Sequence, residues 1–290
     1  MNRRKFIGLS AAAAVTLSAT AFAGRDNIPA KNSASHGKSS QGRMPAGSKK
    51  KGLGQSSKTP DWSKRLTDLR CDWFYSWNHN IPKDLPKGVE FVPMIYRYSG
   101  DAQAITDTAA SAKRAGITEL LGFNEPDVKK QGNMTIEETL EAWPLLMATG
   151  LRLGSPGCVH PDKEWMIEFM AGAKKRNLRI DFISVHSYGG PSPEALVKRL
   201  ENIHQMFNRP IWITEFAVGD WEAKSVETNR HKPDSVLRFM EKVLPMLDKL
   251  DFVERYAWFP AKPTGAALGT SALHDADGQL TRLGECYREA

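Results

Sequence analysis

Alternation between apolar runs and amphipathic stretches is the feature that most constrains the fold of this chain. Five stretches have the periodicity of amphipathic helices, at 101–115, 135–149, 162–176, 193–207 and 233–249. Thr135 and Glu138 predict a capping box, and Pro233-Asp234 is a favourable helix start. Eight apolar runs have the length of strands and lie at 70–77, 90–97, 116–123, 152–159, 179–188, 210–218, 253–260 and 271–278.

Most of these predicted strands are apolar on both faces, whereas strands half open to water would alternate. Strands separated by helices indicate a parallel sheet with right-handed crossovers. Eight strands in about 230 residues predict an α/β fold, a TIM-type (β/α)8 barrel near the short end of its range. The crossovers at 78–89 and 261–270 look truncated. A doubly wound open sheet is the alternative, but it usually has a Gly-rich loop after its first strand.

The first 23 residues predict an export signal. Arg3, Arg4 and Lys5 precede an apolar, Ala-rich run, and Ala21-Phe22-Ala23 is a small-x-small cleavage site. The run NRRKFIG resembles a twin-arginine signal, with an ordinary secretory signal as the alternative. No second long apolar run follows, so we expect an exported protein, periplasmic or extracellular, with no membrane span after cleavage.

Residues 24–60 consist largely of Ser, Gly, Lys and Pro. Such a segment buries too little apolar surface to offset its ordering entropy and predicts a disordered basic linker. We therefore expect three parts: the signal at 1–23, the linker at 24–60 and one folded domain at 61–290.

The positive charge of the chain is concentrated in its first 60 residues. They hold 11 of the 40 Lys and Arg but one of the 33 acidic residues, which leaves 29 basic and 32 acidic residues in the predicted domain. The formal charge of +7 therefore does not indicate a basic binding face. We expect no nucleic acid partner.

The three cysteines, Cys71, Cys158 and Cys286, do not have the spacing of metal ligands. Their odd number leaves at least one thiol unpaired. We expect them to be small buried residues, with a bridge between Cys71 and Cys286, or one that includes Cys158, as the alternative.

In a (β/α)8 barrel, functional groups stand at the carboxyl ends of the strands. Here those ends supply flat aromatic rings, hydrogen-bonding groups and two carboxylates, a set that suits sugar faces, sugar hydroxyls and a glycosidic bond. The candidates are Trp77, Asn78, His79, Tyr96, Arg97, Asn124, Glu125, Asp127, His186, Tyr188, Glu215 and Trp258.

Two glutamates stand out among these candidates. Glu125 follows the apolar run LLGF and precedes Pro126, which disfavours the α region and predicts an extended Glu125. Glu215 is the only charge in the run IWITEFAV, where an ionised group is costly unless it is paired or hydrated. A capping carboxylate at Glu125 and a buried structural ion pair at Glu215 are the alternatives.

Other chemistries have weaker support. His79, His160 and His186 show no HxH or HExxH pattern, so we expect no metal site. His186 ends a strand and is expected to hydrogen-bond to substrate or to Glu215. No GxSxG elbow supports a serine nucleophile. We expect no cofactor.

The order of motifs then resembles a known family. FVPMIY, LLGFNEPD, GSPG, DFISVHSYGG, RPIWITEF, RYAWF and DADGQLTRLGECY are similar to the catalytic core of glycoside hydrolase family 128, the endo-β-1,3-glucanases, over residues 70–288. The resemblance implies a (β/α)8 fold and a retaining mechanism. It implies that Glu125 is the acid/base, Glu215 is the nucleophile and Asn124 holds the sugar 2-hydroxyl.

This chain departs from the pattern at Tyr96-Arg97-Tyr98, where family members often have Trp-Gly or a similar aromatic. Related barrels carry their two acids on strands four and seven, whereas the predicted strands place them on three and six. We therefore expect one missed strand near 60–90.

Together these points predict a monomeric, exported glycosidase that cleaves β-1,3-glucan polysaccharide or oligosaccharide, with endo action favoured over exo. Its predicted substrate-binding residues are Asn124, Trp77, Tyr96, His186, Tyr188 and Trp258. A glucan-binding barrel without activity, a barrel acting on another β-glycan and a metal-dependent hydrolase are the alternatives.

Overall fold

The structure of the chain, a computed structural model, describes residues 49–290. The predicted signal at 1–23 and the linker up to residue 48 lie outside these residues. Eight strands are β1 (Lys51–Gly54), β2 (Trp73–Tyr75), β3 (Glu90–Phe91), β4 (Glu119–Leu120), β5 (Arg152–Leu153), β6 (Ile183–Gly189), β7 (Ile211–Val218) and β8 (Val253–Trp258). The helices are α1 (Trp62–Asp68), α2 (Gln103–Ala115), α3 (Ile136–Met147), α4 (Glu164–Lys175), α5 (Pro193–Phe207), α6 (Pro233–Lys249) and α7 (Arg282–Glu289).

The strands form a closed parallel barrel, as the sequence predicts. Six of them pair in the order β3-β2-β1-β8-β7-β6, and β4 pairs with β5. Single parallel bridges complete the ring: Met94 with Leu121 joins the β3 and β4 segments, and Gly154 with Phe182 joins β5 to β6. A (β/α)8 barrel places the ends of all eight strands around one mouth.

The first strand is the one that the sequence prediction missed. Residues 51–54 lie inside the predicted linker 24–60 and outside the range 60–90 where a missed strand was expected. They pair with both β2 and β8, and every one of them is buried. With this strand counted, Glu125 follows β4 and Glu215 lies on β7, the positions expected from related barrels.

The prediction of an eighth strand at 271–278 is wrong. This segment follows a short 3₁₀ helix, Gly269–Ser271, and makes one antiparallel bridge, between His274 and Leu280. It leads into α7, which the sequence prediction did not include. The truncated crossover after β2 is confirmed, because described residues 76–89 contain no helix.

The helix starts follow the predicted chemistry. Thr135 and Glu138 form the reciprocal capping box of α3, and Pro233 begins α6. Ser192 accepts a hydrogen bond from the backbone N–H of Ala195 at the start of α5.

A cluster of buried, mostly aromatic and aliphatic side chains fills the barrel interior below its mouth. It consists of Trp73, Tyr75, Val92, Met94, Leu121, Phe182, Trp212 and Ala257. Charged groups close the opposite end, where the strands begin. Arg152 makes a two-pronged ion pair with Glu254, at 2.7 and 2.8 Å. The guanidinium of Arg255 lies 4.3 Å from the ring centre of Trp212. Apolar packing therefore fills the barrel below its mouth, and charged side chains cover its base.

The three cysteines are free in the structure, and Cys71 and Cys158 are buried. Burial raises the pKa of the Cys71 thiol to about 12, so it stays protonated and behaves as a small apolar residue. In residues 49–290, no helix has the length and apolar character needed to cross a membrane.

Candidate active site

A cleft of about 600 Å³ opens where the strands end. Six predicted site residues line it: Trp77, Tyr96, Asn124, Glu125, Tyr188 and Glu215. Six more line it that the sequence did not single out: Val128, Gln131, Val159, Trp221, Phe259 and Leu268. The barrel therefore brings both glutamates and several aromatic rings to one cleft.

Glu215 is held by three neutral hydrogen-bond donors. Its Oε1 accepts from the hydroxyl of Tyr75 at 2.9 Å and from the indole N–H of Trp77 at 2.8 Å. Its Oε2 accepts from the hydroxyl of Tyr188. No Lys or Arg pairs with it within residues 49–290, and the residue is 4% exposed. For the predicted alternative of a buried ion pair, the structure offers one partner in these residues, His186, whose Nδ1 lies 3.6 Å from Oε2 of Glu215.

The two tyrosines remain donors over the ordinary pH range. Burial raises the pKa of Tyr75 and of Tyr188 well above the usual value, and the nearby carboxylate of Glu215 raises each pKa further. A phenol that keeps its proton continues to donate to the carboxylate beside it.

Glu125 lies on the turn after β4 and is 8% exposed. Its backbone N–H donates to the carbonyl of Gly157 at 2.8 Å, which fixes the turn against the β5 segment. The expectation of an extended Glu125 is wrong, since its φ is +40°. Pro126 disfavours the right-handed α region for Glu125, and the chain turns through the left-handed region instead. Such a conformation is costly for a residue with a side chain and often marks a functional turn.

His186 joins the two glutamates. Its Nδ1 lies 2.8 Å from Oε1 of Glu125 and 3.6 Å from Oε2 of Glu215. Gly157 makes room for the ring, because a Cβ there would lie 2.9 Å from Nε2 of His186. Burial by itself lowers the pKa of His186, but Glu215 and Glu125 outweigh burial and raise it above its ordinary value.

Of the two predicted partners of His186, substrate or Glu215, the structure places it near Glu215; the residue is completely buried and does not line the cleft. Its hydrogen bond to Glu125 instead fixes the orientation of that carboxyl group.

One oxygen of each glutamate and one ring nitrogen of His186 lie within 4.8 Å of one another. Three such groups are of the types that bind a transition metal. In this structure, however, Oε1 and Oε2 of Glu215 accept from Tyr75, Trp77 and Tyr188, and Nδ1 of His186 lies on Glu125. Hydrogen bonds alone therefore account for the arrangement of these side chains.

The structure places three of the four predicted aromatic residues at the cleft. Trp77, Tyr96 and Tyr188 line the cleft, but Trp258 does not. Trp258 is fully buried, and its indole N–H donates to the carbonyl of Ser271 at 2.9 Å. The next residue, Phe259, takes its place at the cleft.

Polar groups line the wall near Glu125. The hydroxyl of Tyr96 donates to Oε1 of Gln131 at 2.6 Å. Asn124 is 3% exposed, and its Oδ1 is buried without a hydrogen-bond partner in the described protein. Asn124 nevertheless lines the cleft, so its amide lies beside the space that a ligand would occupy.

Comparison with known proteins gives a family match. A family model described as glycosyl hydrolase catalytic core matches residues 52–287. The chain is 32% identical over 237 residues to alkali-sensitive linkage protein 1 of Schizosaccharomyces pombe, and the match covers 78% of this chain. The chain spans only 42% of the length of that relative.

Solved structures extend the match over nearly whole proteins. A subgroup I endo-β-1,3-glucanase of glycoside hydrolase family 128 from Amycolatopsis mediterranei, in complex with laminarihexaose, is 35% identical with a TM-score of 0.72. That match covers 83% of this chain and 99% of the other. A subgroup III curdlan-specific exo-β-1,3-glucanase from Blastomyces gilchristii is 28% identical with a TM-score of 0.66, covering 83% and 98%.

Proposed function

We propose a reaction on the premise that this chain belongs to glycoside hydrolase family 128, whose catalytic core it matches across the barrel. The reaction is hydrolysis of β-1,3-glucan by the two glutamates of the cleft. One observation carries the proposal: Glu125 and Glu215 face one aromatic cleft with carboxylate oxygens no more than 4.8 Å apart.

The separation of the two carboxylates favours retention of configuration. Retaining glycosidases hold their carboxyl groups about 5–5.5 Å apart, whereas inverting enzymes leave roughly 6.5–9.5 Å for a water molecule. One oxygen of each glutamate lies within 4.8 Å of the other, which supports the shorter spacing of the retaining enzymes. The proposed mechanism is therefore a double displacement.

The surroundings of the two glutamates support a proposed role for each. Glu215 has donors on both oxygens, and hydrogen bonds to a carboxylate stabilise its charged form, which a nucleophile requires. Glu125 has one side-chain partner among the described residues, His186. Since that bond uses Oε1, Oε2 of Glu125 has no such side-chain bond and is available to a group bound in the cleft. Glu215 is accordingly the nucleophile and Glu125 the acid/base.

The proposed steps follow from these roles. Glu215 attacks the anomeric carbon while the glycosidic bond breaks, and the leaving oxygen takes the proton of Glu125. A water molecule then gives its proton to Glu125 and attacks the same carbon, and the bond to Glu215 breaks. Two inversions return the β configuration.

Asn124, which lines the cleft next to Glu125, is the group proposed to hold the sugar 2-hydroxyl. A hydrogen bond to this hydroxyl strengthens in the transition state of many glycosidases. Trp77, Tyr96, Tyr188 and Phe259 supply aromatic contact for the sugar faces.

We favour endo action. The solved relative with the higher identity, 35%, is described as an endo enzyme, and the one at 28% is described as an exo enzyme. Product sizes from laminarin distinguish the two modes, since endo action releases a range of oligosaccharides early and exo action releases one short product.

Azide rescue tests the mechanism. Glu215→Ala should lose turnover, and azide should then give the α-glycosyl azide because the anion occupies the position of the nucleophile. Glu125→Ala should still form the intermediate from substrates with good leaving groups, and azide should give the β product. Inverted sugar at the first turnover, observed by proton NMR, would exclude double displacement. The opposite azide products would exchange the two roles.

A further inference from the structure

Trp221 is the most exposed large apolar side chain in the described part of the protein, at 64%. The other two, Ile167 and Met206, lie on the outer helices α4 and α5, whereas Trp221 lines the cleft. It stands in the loop after β7, six residues beyond Glu215. A large ring left open at the edge of a cleft indicates a surface that a ligand covers.

Trp221 ends a continuous row of rings that begins at the predicted nucleophile. Trp77 packs edge-on against Phe259, with ring centres 5.9 Å apart, and Phe259 packs against Tyr188 at 5.5 Å. Tyr188 then packs against Trp221 at 5.8 Å and 79°. Since Trp77 and Tyr188 both donate to Glu215, Trp221 lies one ring farther from the chemistry than either.

Hydrogen bonds from buried side chains hold the loop that carries Trp221. Asp220 is buried, and its carboxylate accepts from the backbone N–H of Arg230 at 2.9 Å and from its guanidinium at 2.7 Å. The amide of Asn229, fully buried, donates to the carbonyls of Ala266 and Ala267, both at 3.0 Å. These bonds tie the loop after β7 to the loop after β8. Hydrogen bonds therefore fix the backbone that carries Trp221, whereas the face of its ring is exposed to solvent.

We propose that Trp221 is a platform for a glucosyl unit outside the one that reacts, and that it sets a preference for longer glucan chains. This inference rests on the proposed function, because it adds a binding position to the same cleft. Trp221 does not contact the glutamates, so it contributes to binding and not to the chemical step.

The proposal predicts a split between long and short substrates. Covering roughly 60 Å² of apolar ring corresponds to about a tenfold change in affinity. Trp221→Ala should raise KM for laminarihexaose by this factor and leave kcat nearly unchanged. Its effect on an aryl β-glucoside, which has no glucosyl unit beyond the reacting one, should be less than twofold. Trp221→Phe should keep most of the activity on laminarihexaose.

Met206→Ala is the matched control, because Met206 is also an exposed apolar residue but lies on α5 away from the cleft. Both variants should melt close to the wild-type temperature. A second readout avoids turnover: laminarihexaose should change the tryptophan fluorescence of Glu215→Gln more than that of Glu215→Gln with Trp221→Phe.

The outcomes separate the two proposals. If Trp221→Ala cleaves laminarihexaose with unchanged KM while Glu215→Ala is inactive, the platform is refuted and the proposed function stands. An equal loss on both substrates would place Trp221 in the reacting position and also refute the platform. If the wild-type enzyme does not cleave laminarihexaose, the proposed function and the platform both fail.

Discussion

Tyr75→Phe tests how far the hydrogen bonds around Glu215 control the reaction. Tyr75 is completely buried and does not line the cleft, so the substitution leaves the substrate contacts unchanged. It removes one of the two donors to Oε1 of Glu215 and leaves Trp77 at 2.8 Å. The acceptor therefore stays paired, and the ring still fills the barrel interior.

The size of the effect follows from the charge of the acceptor. A hydrogen bond to a charged group contributes about 1.5–3 kcal/mol, and each 1.36 kcal/mol in the barrier changes the rate tenfold. Because two donors remain, we expect kcat/KM on laminarin to fall about 10-fold to 100-fold. Most of the loss should appear in kcat, since the bond acts on the nucleophile and not on the sugar.

The assay is release of reducing sugar from laminarin over a range of substrate concentrations, with thermal unfolding measured on the same preparations. Tyr287→Phe is the control, because it also deletes a buried hydroxyl, one that donates to the carbonyl of Gly52 at 2.6 Å far from the glutamates. It should lower stability and leave kcat nearly unchanged. A folded Tyr75→Phe enzyme with kcat within twofold of wild type would refute the reasoning. An increase in kcat would show that Tyr75 restrains the nucleophile.

Three further predictions concern stability, binding and export. Burial lowers the pKa of His274 to about 4, below its ordinary 6.5. Protonation of His274 therefore favours the unfolded state. The free energy of unfolding should be highest above pH 6.5 and should decrease as the pH falls toward 4. The loss should be roughly 1–3 kcal/mol by chemical unfolding, and His274→Gln, but not the exposed His160→Gln, should flatten this dependence. Trp258→Ala should destabilise the barrel by about 3–5 kcal/mol, whereas Phe259→Ala should raise KM with little change in melting temperature; the reverse pattern would contradict the placement of the two rings. If the signal is of the twin-arginine type, replacing Arg3 and Arg4 by Lys should block export. Cell fractionation measures the location of the protein, and undiminished export would contradict the twin-arginine assignment.

The two glutamates were predictable because each breaks a local pattern. Glu215 interrupts an apolar strand, and Glu125 sits between an apolar run and Pro126. Each pattern extends over only a few consecutive residues, so it can be recognised without knowledge of the fold. The hydrogen bonds of Glu215 could not be predicted from the sequence, since Tyr75 and Trp77 lie some 140 residues away in the chain.

The error at Trp258 has a geometric cause. Side chains alternate along a strand, and Ala257 belongs to the barrel interior, whereas Tyr256 and Trp258 pack in the outer core under the helices. Phe259 continues on the side of Ala257 and so reaches the cleft. The run VERYAWFP is apolar on both faces, which is why the sequence does not show which face is inward. Trp221 had no local signal at all, because it lies in an irregular loop whose position depends on bonds to residues 266 and 267.

The missed strand β1 shows the same dependence on distant partners. Its sequence, KGLG, has one large apolar residue and two glycines, so no window of the chain indicates a strand. Gly52 is required by the indole of Trp73, because a Cβ there would lie 2.3 Å from that ring. The ammonium of Lys51 is buried and bonds to the carbonyls of Tyr287 and Ala290, both at 2.8 Å, at the end of α7. The glycine and the lysine look unfavourable for a buried strand, but each fits a partner that lies elsewhere in the chain. The closure of the barrel therefore selects this segment as its first strand, although local propensity assigns it to the linker.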